Sequence, residues 1–243
     1  MLAGIFALIV VSAALQSLSG FGFALLSVPI LVILIGGPQT VSTVLITGTA
    51  CDLAILALRR SVPRPAGREV LVLGLWSAPG MLAGAWLLGI LPSRWLQIFV
   101  ACLVILTVAL RARSAGAPRA PAVRRPGRAA AAGFTSGALS TATSLGGPPT
   151  VLYLAQRGLA PRTMRDTLVT LSLVRLPLSL LALMTAGVWE VYEHWLPLIV
   201  AALAGQFLGT MAFHRFAGSH YDRIVVTLLT ASALAALVAA GAS

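Results

Sequence analysis

Long apolar runs separated by short polar breaks dominate the chain. Six of them have about the length an α-helix needs to cross a bilayer core, roughly 20 residues. They cover 39–58, 69–91, 94–111, 166–188, 195–214 and 222–241. Two further apolar stretches, 2–36 and 129–155, do not read as single spans. As one helix the first would be about 50 Å long, well beyond the hydrocarbon core. Each is interrupted near its middle by residues that disfavour continuous helix. The interruptions are Ser17-Leu18-Ser19-Gly20-Phe21-Gly22 and Ser144-Leu145-Gly146-Gly147-Pro148-Pro149. They predict broken segments, with helices restarting near Gly22 and Phe23 and near Pro149 and Thr150.

The longest polar segment, 111–128, carries Arg111, Arg113, Arg119, Arg124, Arg125 and Arg128 together with Pro118, Pro121 and Pro126. It reads as a linker between two halves, 1–110 and 129–243. Laying the second half on the first at an offset of 126 pairs Gly20 with Gly146, Leu45 with Leu171 and Ser93 with Ser219. One deletion then pairs Gly80 with Gly205 and Gly84 with Gly209. The order broken segment, span, span, span recurs in both halves, which is the signature of an internal repeat. The expected fold is an all-α polytopic membrane protein with about eight membrane helices in two repeats. Each repeat opens with a broken or re-entrant segment.

Composition agrees with lipid as the solvent. Of 243 residues 58% are hydrophobic and 9% charged, against roughly 25% charged in soluble domains. All 17 basic residues are arginine, against 6 acids, a net charge of +11. Their placement makes this a topology signal. If each broken segment returns to the side it entered from, each half crosses an odd number of times and the second half is inverted. One face then receives Arg59, Arg60, Arg64, Arg68, the linker, Arg157, Arg162, Arg165 and Arg215. The other receives Arg94, Glu190 and Glu193. By the positive-inside rule the first face is cytoplasmic and both termini lie outside. Two short full spans in place of each hairpin give the same parity. The N-terminus lacks a basic leader region and reads as a retained membrane segment.

Chemistry concentrates at the breaks. A helix that starts in mid-membrane presents unpaired N–H groups and a positive dipole end, both attractive to anions. Arg175 falls near the middle of the 166–188 span, where a cation costs about 2.5–3.5 kcal/mol on the mildest insertion scale. Contact with an anion, pairing with Asp52 or with backbone carbonyls, and snorkelling are all open to it. Asp52 itself reads as a partner for Arg59 or Arg175, or as a proton acceptor. Gln16, Ser17 and Ser19 precede the first break, and Ser140, Thr141, Thr143 and Ser144 the second. Their hydroxyls and amide suit either an oxyanion or freed carbonyls. Gln206 sits mid-span between Gly205 and Gly209 and is expected to bond across helices, while Gly80/Gly84 and Gly205/Gly209 mark close helix contacts. Cys51 and Cys102 lack metal or disulfide spacing. No nucleophile, metalloprotease, nucleotide or dinucleotide motif occurs. A non-enzymatic protein with no cofactor or metal and no nucleic-acid partner is therefore expected.

The two broken segments resemble those of the sulfite exporter TauE/SafE family of bacterial membrane transporters. The resemblance rests on Gln16 to Phe23 followed by Pro29, and on Ser144 to Leu154. It extends over the chain in segment number, linker and repeat order. It implies a multi-pass protein of the bacterial inner membrane, a homodimer, and movement of sulfite, sulfoacetate and other small sulfur-containing or carboxylated anions. It also implies a substrate wall of Ser19, Gly20, Gly22, Gly146, Gly147 and Pro148, to which electrostatics adds Arg175. Gln16, Ser17, Asp52, Thr143, Ser144 and Gln206 are expected in support. Phe21 and Phe23 around Gly22 depart from a fully glycine-rich version of the motif and favour a narrower site or a substrate with an apolar part. The alternative expectation is a membrane scaffold whose arginine-rich face recruits an acidic protein or anionic lipid.

Overall fold

The computed structural model describes residues 2–19, 23–57, 63–114 and 126–216, and these form nine α-helices with no strand among the described residues. In chain order they are α1 (Leu2–Ser19), α2 (Phe23–Ile35), α3 (Gly37–Ala57), α4 (Gly67–Ile90), α5 (Ser93–Ser114), α6 (Pro126–Thr143), α7 (Gly147–Ala155), α8 (Pro161–Thr185) and α9 (Trp195–Phe216). Five of the six expected spans match α3, α4, α5, α8 and α9. The sixth, 222–241, lies outside the described residues, as do Arg59, Arg60, linker residues 115–125 and Gly20, Phe21 and Gly22. By length and composition Gly37–Ala57, Gly67–Ile90 and Arg162–Thr185 qualify as membrane spans, and Leu2–Ser17, Phe23–Ile35, Arg94–Thr107 and Trp195–Met211 are shorter apolar helices.

The second expected break, residues 144–146, separates α6 from α7. The first falls on residues 20–22 between α1 and α2, outside the described residues. α7 begins at Gly147, two residues before the expected restart at Pro149. Proline lacks an N–H and suits the first turn of a helix, so Pro148 and Pro149 sit inside α7. α6 stops in an unusual way. Ser144 takes the left-handed region with φ 58°, a conformation normally left to glycine. Its N–H bonds the Ser140 carbonyl at 3.0 Å, and its hydroxyl reaches the Val41 carbonyl of α3 at 3.2 Å.

Two pairings, α4 on α6 and α1 on α9, supply the most extensive helix packing among the described residues. Missing side chains make both possible. A Cβ added at Gly80 or Gly84 would strike the backbone of Phe134 or Ala138 on α6, and one at Gly205 or Gly209 the backbone of Val10 or Ala14 on α1. Gly133 in turn faces Leu73 and Trp76, and Gly137 faces Ser77. Residue numbers rise together along both pairs, so each pair runs parallel. Leu71, Leu75, Leu82 and Trp86 of α4 are exposed, and so are Leu196, Val200, Phe207 and Met211 of α9, each 125 residues later. Such apolar faces suit lipid.

Contacts at the helix ends fix the directions. The Tyr192 N–H donates to Thr43 Oγ1 at 3.1 Å, joining the starts of α3 and α9 at one end of the bundle. At the other end the Arg64 N–H donates to Asp166 Oδ2 at 2.9 Å and the Ala66 N–H to Thr167 Oγ1 at 2.9 Å, joining the starts of α4 and α8. α6 starts at this second end because it parallels α4. α7 runs back to it: the Tyr153 hydroxyl donates to Glu69 Oε2 at 2.7 Å and Arg157 lies 3.3 Å from Glu69 Oε1. α1, parallel to α9, starts at the first end, and α2 returns there to meet α3. α7 has nine residues, about 13.5 Å of helix, less than half of a core about 30 Å thick. It forms the short limb of a re-entrant pair. Arg64, Arg68, Arg128, Arg157, Arg162 and Arg165 thus collect at one end, and Arg94, Glu190 and Glu193 at the other.

Candidate functional site

A cavity of about 180 Å³ opens between the two broken segments. α1 and α2 line it with Gln16, Phe23 and Leu25, α3 with Val44, Gly48, Thr49 and Asp52, and the second break with Ser140, Ser144, Gly146, Gly147, Pro148 and Thr150. α8 closes it with Ser172, Arg175 and Ser179. Asp52 and Arg175 are the only charged side chains among the described lining residues.

Arg175 is 7% exposed. Its Nε donates to Ser77 Oγ on α4 at 3.0 Å, and its Nη1 to Ser136 Oγ on α6 at 2.8 Å. Its Nη2 is buried and has no hydrogen-bond partner among the described residues. Two serines on different helices therefore fix the guanidinium plane and leave one donor edge unused. Asp52 is not its partner. The Asp52 carboxylate, also 7% exposed, accepts from Gln16 Nε2 at 3.0 Å. Of the readings left open by the sequence, pairing between the two charges is not the arrangement found, and Arg175 is held by hydroxyls.

Ser136 ties this cation to the second break. Its hydroxyl contacts Thr150 Oγ1 at 2.7 Å and also bonds the Gly146 carbonyl. Gly146 is glycine for steric reasons: a Cβ there would come 2.7 Å from the Ser136 carbonyl oxygen and 2.8 Å from Ser140 Cβ. Gly147 has nothing within 4 Å of its Cβ position, in keeping with its place on the cavity wall. The helix start contributes fewer donors than its position suggests, because Pro148 and Pro149 have no N–H. Charge at this break comes mainly from Arg175.

A family model described as sulfite exporter TauE/SafE matches residues 5–236. The chain belongs to that family. Comparison with curated proteins and with solved structures found no match. As a TauE/SafE protein the chain is a membrane transporter, in keeping with its bundle of apolar helices.

Of the residues singled out from the TauE/SafE motifs and from electrostatics, the cavity brings together Gln16, Asp52, Ser144, Gly146, Gly147, Pro148 and Arg175. Ser19 closes α1, but its side chain, with Gly20 and Gly22, lies outside the described residues. Ser17 turns away from the cavity toward Gly209 and bonds the Ala14 carbonyl at 2.7 Å. Thr143 bonds the Leu139 carbonyl at 2.8 Å, so its hydroxyl serves the helix end. Gln206 is buried outside the cavity, its Oε1 without a partner among the described residues. Sequence reasoning missed Ser77, Ser136, Ser172 and Ser179. A signal existed for three of them: Ser136, Ser140 and Ser144 recur every four residues, and Ser172, Arg175 and Ser179 follow at three and four. Each set marks one polar face on an apolar helix. Ser77 carries no such pattern.

Proposed function

We propose that this TauE/SafE protein is a secondary transporter that moves small sulfur anions, such as sulfite or an organosulfonate, across the bacterial inner membrane. The observation that carries this reading is Arg175: a buried cation clamped by two serines, with no acid bound to it and one nitrogen unpartnered among the described residues, at a cavity bounded by both broken segments. A small oxyanion supplies the acceptors that this nitrogen lacks and offsets the burial of the charge. The apolar part of the wall, Phe23, Leu25, Val44 and Leu171, accommodates the carbon of a sulfonate.

The site works by alternating access. The residue correspondence that relates the halves 1–110 and 129–243 also interchanges the α1·α9 and α4·α6 contacts and the two lipid-facing stripes. Repeats packed through equivalent interfaces can exchange conformations at little net cost, which opens a fixed central site to one face and then the other. The arginine-rich end, including linker 111–128, is cytoplasmic, and both termini are outside. The test is flux of sulfite and of sulfoacetate in proteoliposomes. Wild-type protein moves at least one of them and Arg175→Ala does not, while remaining monodisperse. Equal flux through the two proteins would sink the assigned role.

A further inference from the structure

The second charged group in the cavity has no part in holding Arg175. Asp52 lies on α3 and accepts a hydrogen bond from Gln16 Nε2 of α1, with the Ser172 hydroxyl of α8 also beside its carboxylate. Gln16 is itself 6% exposed, and its Oε1 is buried with no donor among the described residues. An amide beside a carboxylate in this way satisfies only half of its capacity. A carboxylic acid completes the pair: the amide N–H donates to one carboxyl oxygen while the acid O–H donates to the amide oxygen. A proton on Asp52 supplies the kind of donor that Gln16 Oε1 lacks among the described residues.

Charge balance says when that proton is present. The described lining residues carry one positive group, Arg175, and one negative group, Asp52. With Asp52 ionised these two wall charges cancel, and the Arg165 guanidinium acts on Asp52 from beyond the described wall. An anion arriving at Arg175 adds a negative charge to a largely apolar cavity, where like charges repel more than in water. Protonating Asp52 gives the loaded site the charge it had when empty. The remaining groups that face Asp52 are Ser172 and Arg165 of α8 and, on α3 itself, the neighbouring Cys51. Arg165 also donates to the Ser17 carbonyl at 3.3 Å and does not line the cavity. α2 and α6 bring no charged side chain to the wall.

We propose that Asp52 and Gln16 form a proton-binding site that couples each anion to one proton travelling with it. A proton from water forms an O–H bond at a carboxylate oxygen of Asp52 when the anion binds, and returns to water on the other face when the anion leaves. Both reorienting forms, empty with Asp52 ionised and loaded with Asp52 protonated, then have the same cavity charge. This inference rests on the transport reading above and adds the coupling ion to it.

The test uses the full chain in proteoliposomes containing a pH-sensitive dye. Labelled sulfite and, separately, labelled sulfoacetate are supplied, and the protons moved per anion are measured in wild type and variants, so that the probe's own titration cancels. Wild type is expected to move one proton per anion more than Asp52→Asn. A one-unit pH gradient supports up to about tenfold anion accumulation at that ratio, and Asp52→Asn loses it. Asp52→Glu restores the proton count, whatever its overall rate. Exchange without proton movement in wild type overturns the coupling alone, as does an Asp52→Asn protein with an unchanged ratio. If Asp52→Asn fails to fold, the wild-type count and gradient response still decide. No exchange of either anion by wild type overturns the transport reading, and the coupling with it.

Discussion

The 2.8 Å hydrogen bond from Arg175 Nη1 to Ser136 Oγ joins the mid-span cation of α8 to the broken segment of α6 and α7. Ser136 in turn holds Gly146 and Thr150, so the guanidinium and the break form one unit. Ser77 fixes the other side of the guanidinium from α4. A displacement of α6 against α4 must therefore move the cation or break one of these bonds.

Replacing Arg175 by alanine removes a charge-assisted donor worth about 1.5–3 kcal/mol. Anion affinity should fall roughly 10- to 150-fold, read by titration calorimetry on purified protein. Arg175→Lys should recover little, because one ammonium cannot replace a planar fork that bridges Ser77 and Ser136 and presents a third nitrogen.

Ser136→Ala leaves Nη1 and the Gly146 carbonyl short of a partner in a buried setting, at about 1–3 kcal/mol. Both thermal stability and anion affinity should decline. A stability loss with unchanged affinity would mean that Ser136 supports the break without positioning the cation.

Gly84→Val forces a side chain into the backbone of Ala138. Overpacking of this kind costs about 1–3 kcal/mol, and the melting temperature should drop accordingly. Gly209→Val should do the same at α1. Leu82→Phe, on the exposed face of α4, should leave it nearly unchanged.

Orientation is tested by cysteine labelling in a background with Cys51 and Cys102 replaced by alanine. Glu193→Cys should react with a membrane-impermeant maleimide on intact cells, and Arg162→Cys only after permeabilisation. The reverse pattern would invert the proposed topology.

Substituting glutamine for Arg119, Arg124 and Arg125 in the linker should leave anion flux within about twofold once insertion is verified, since these charges act on orientation. A scaffold recruiting an acidic partner would instead lose that partner, as read by co-purification.

Much of the fold was legible because lipid imposes simple rules. The spans at α3, α4, α5, α8 and α9 follow from apolar length, and the break between α6 and α7 from glycine and proline within an apolar run. Gly80, Gly84, Gly205 and Gly209 signalled close packing, though not which helix each would meet. The site was legible only in part. Arg175 stood out because a mid-span cation is costly wherever it points. Its serine partners on α4 and α6 did not, since serine is common in membrane helices and 98 residues separate Ser77 from Arg175.

Sequence by itself determined where the described helices run, where α6 breaks from α7 and which of the described arginines gather at one end of the bundle. Each of these depends on neighbours along the chain and on the bilayer. Tertiary structure alone decided that Asp52 pairs with Gln16 while Arg175 is held by hydroxyls. It also decided that Ser144, and no glycine, takes the left-handed position at the second break. Partner choice among buried polar groups depends on which helix faces bring them within 3 Å, a distance set by packing between helices.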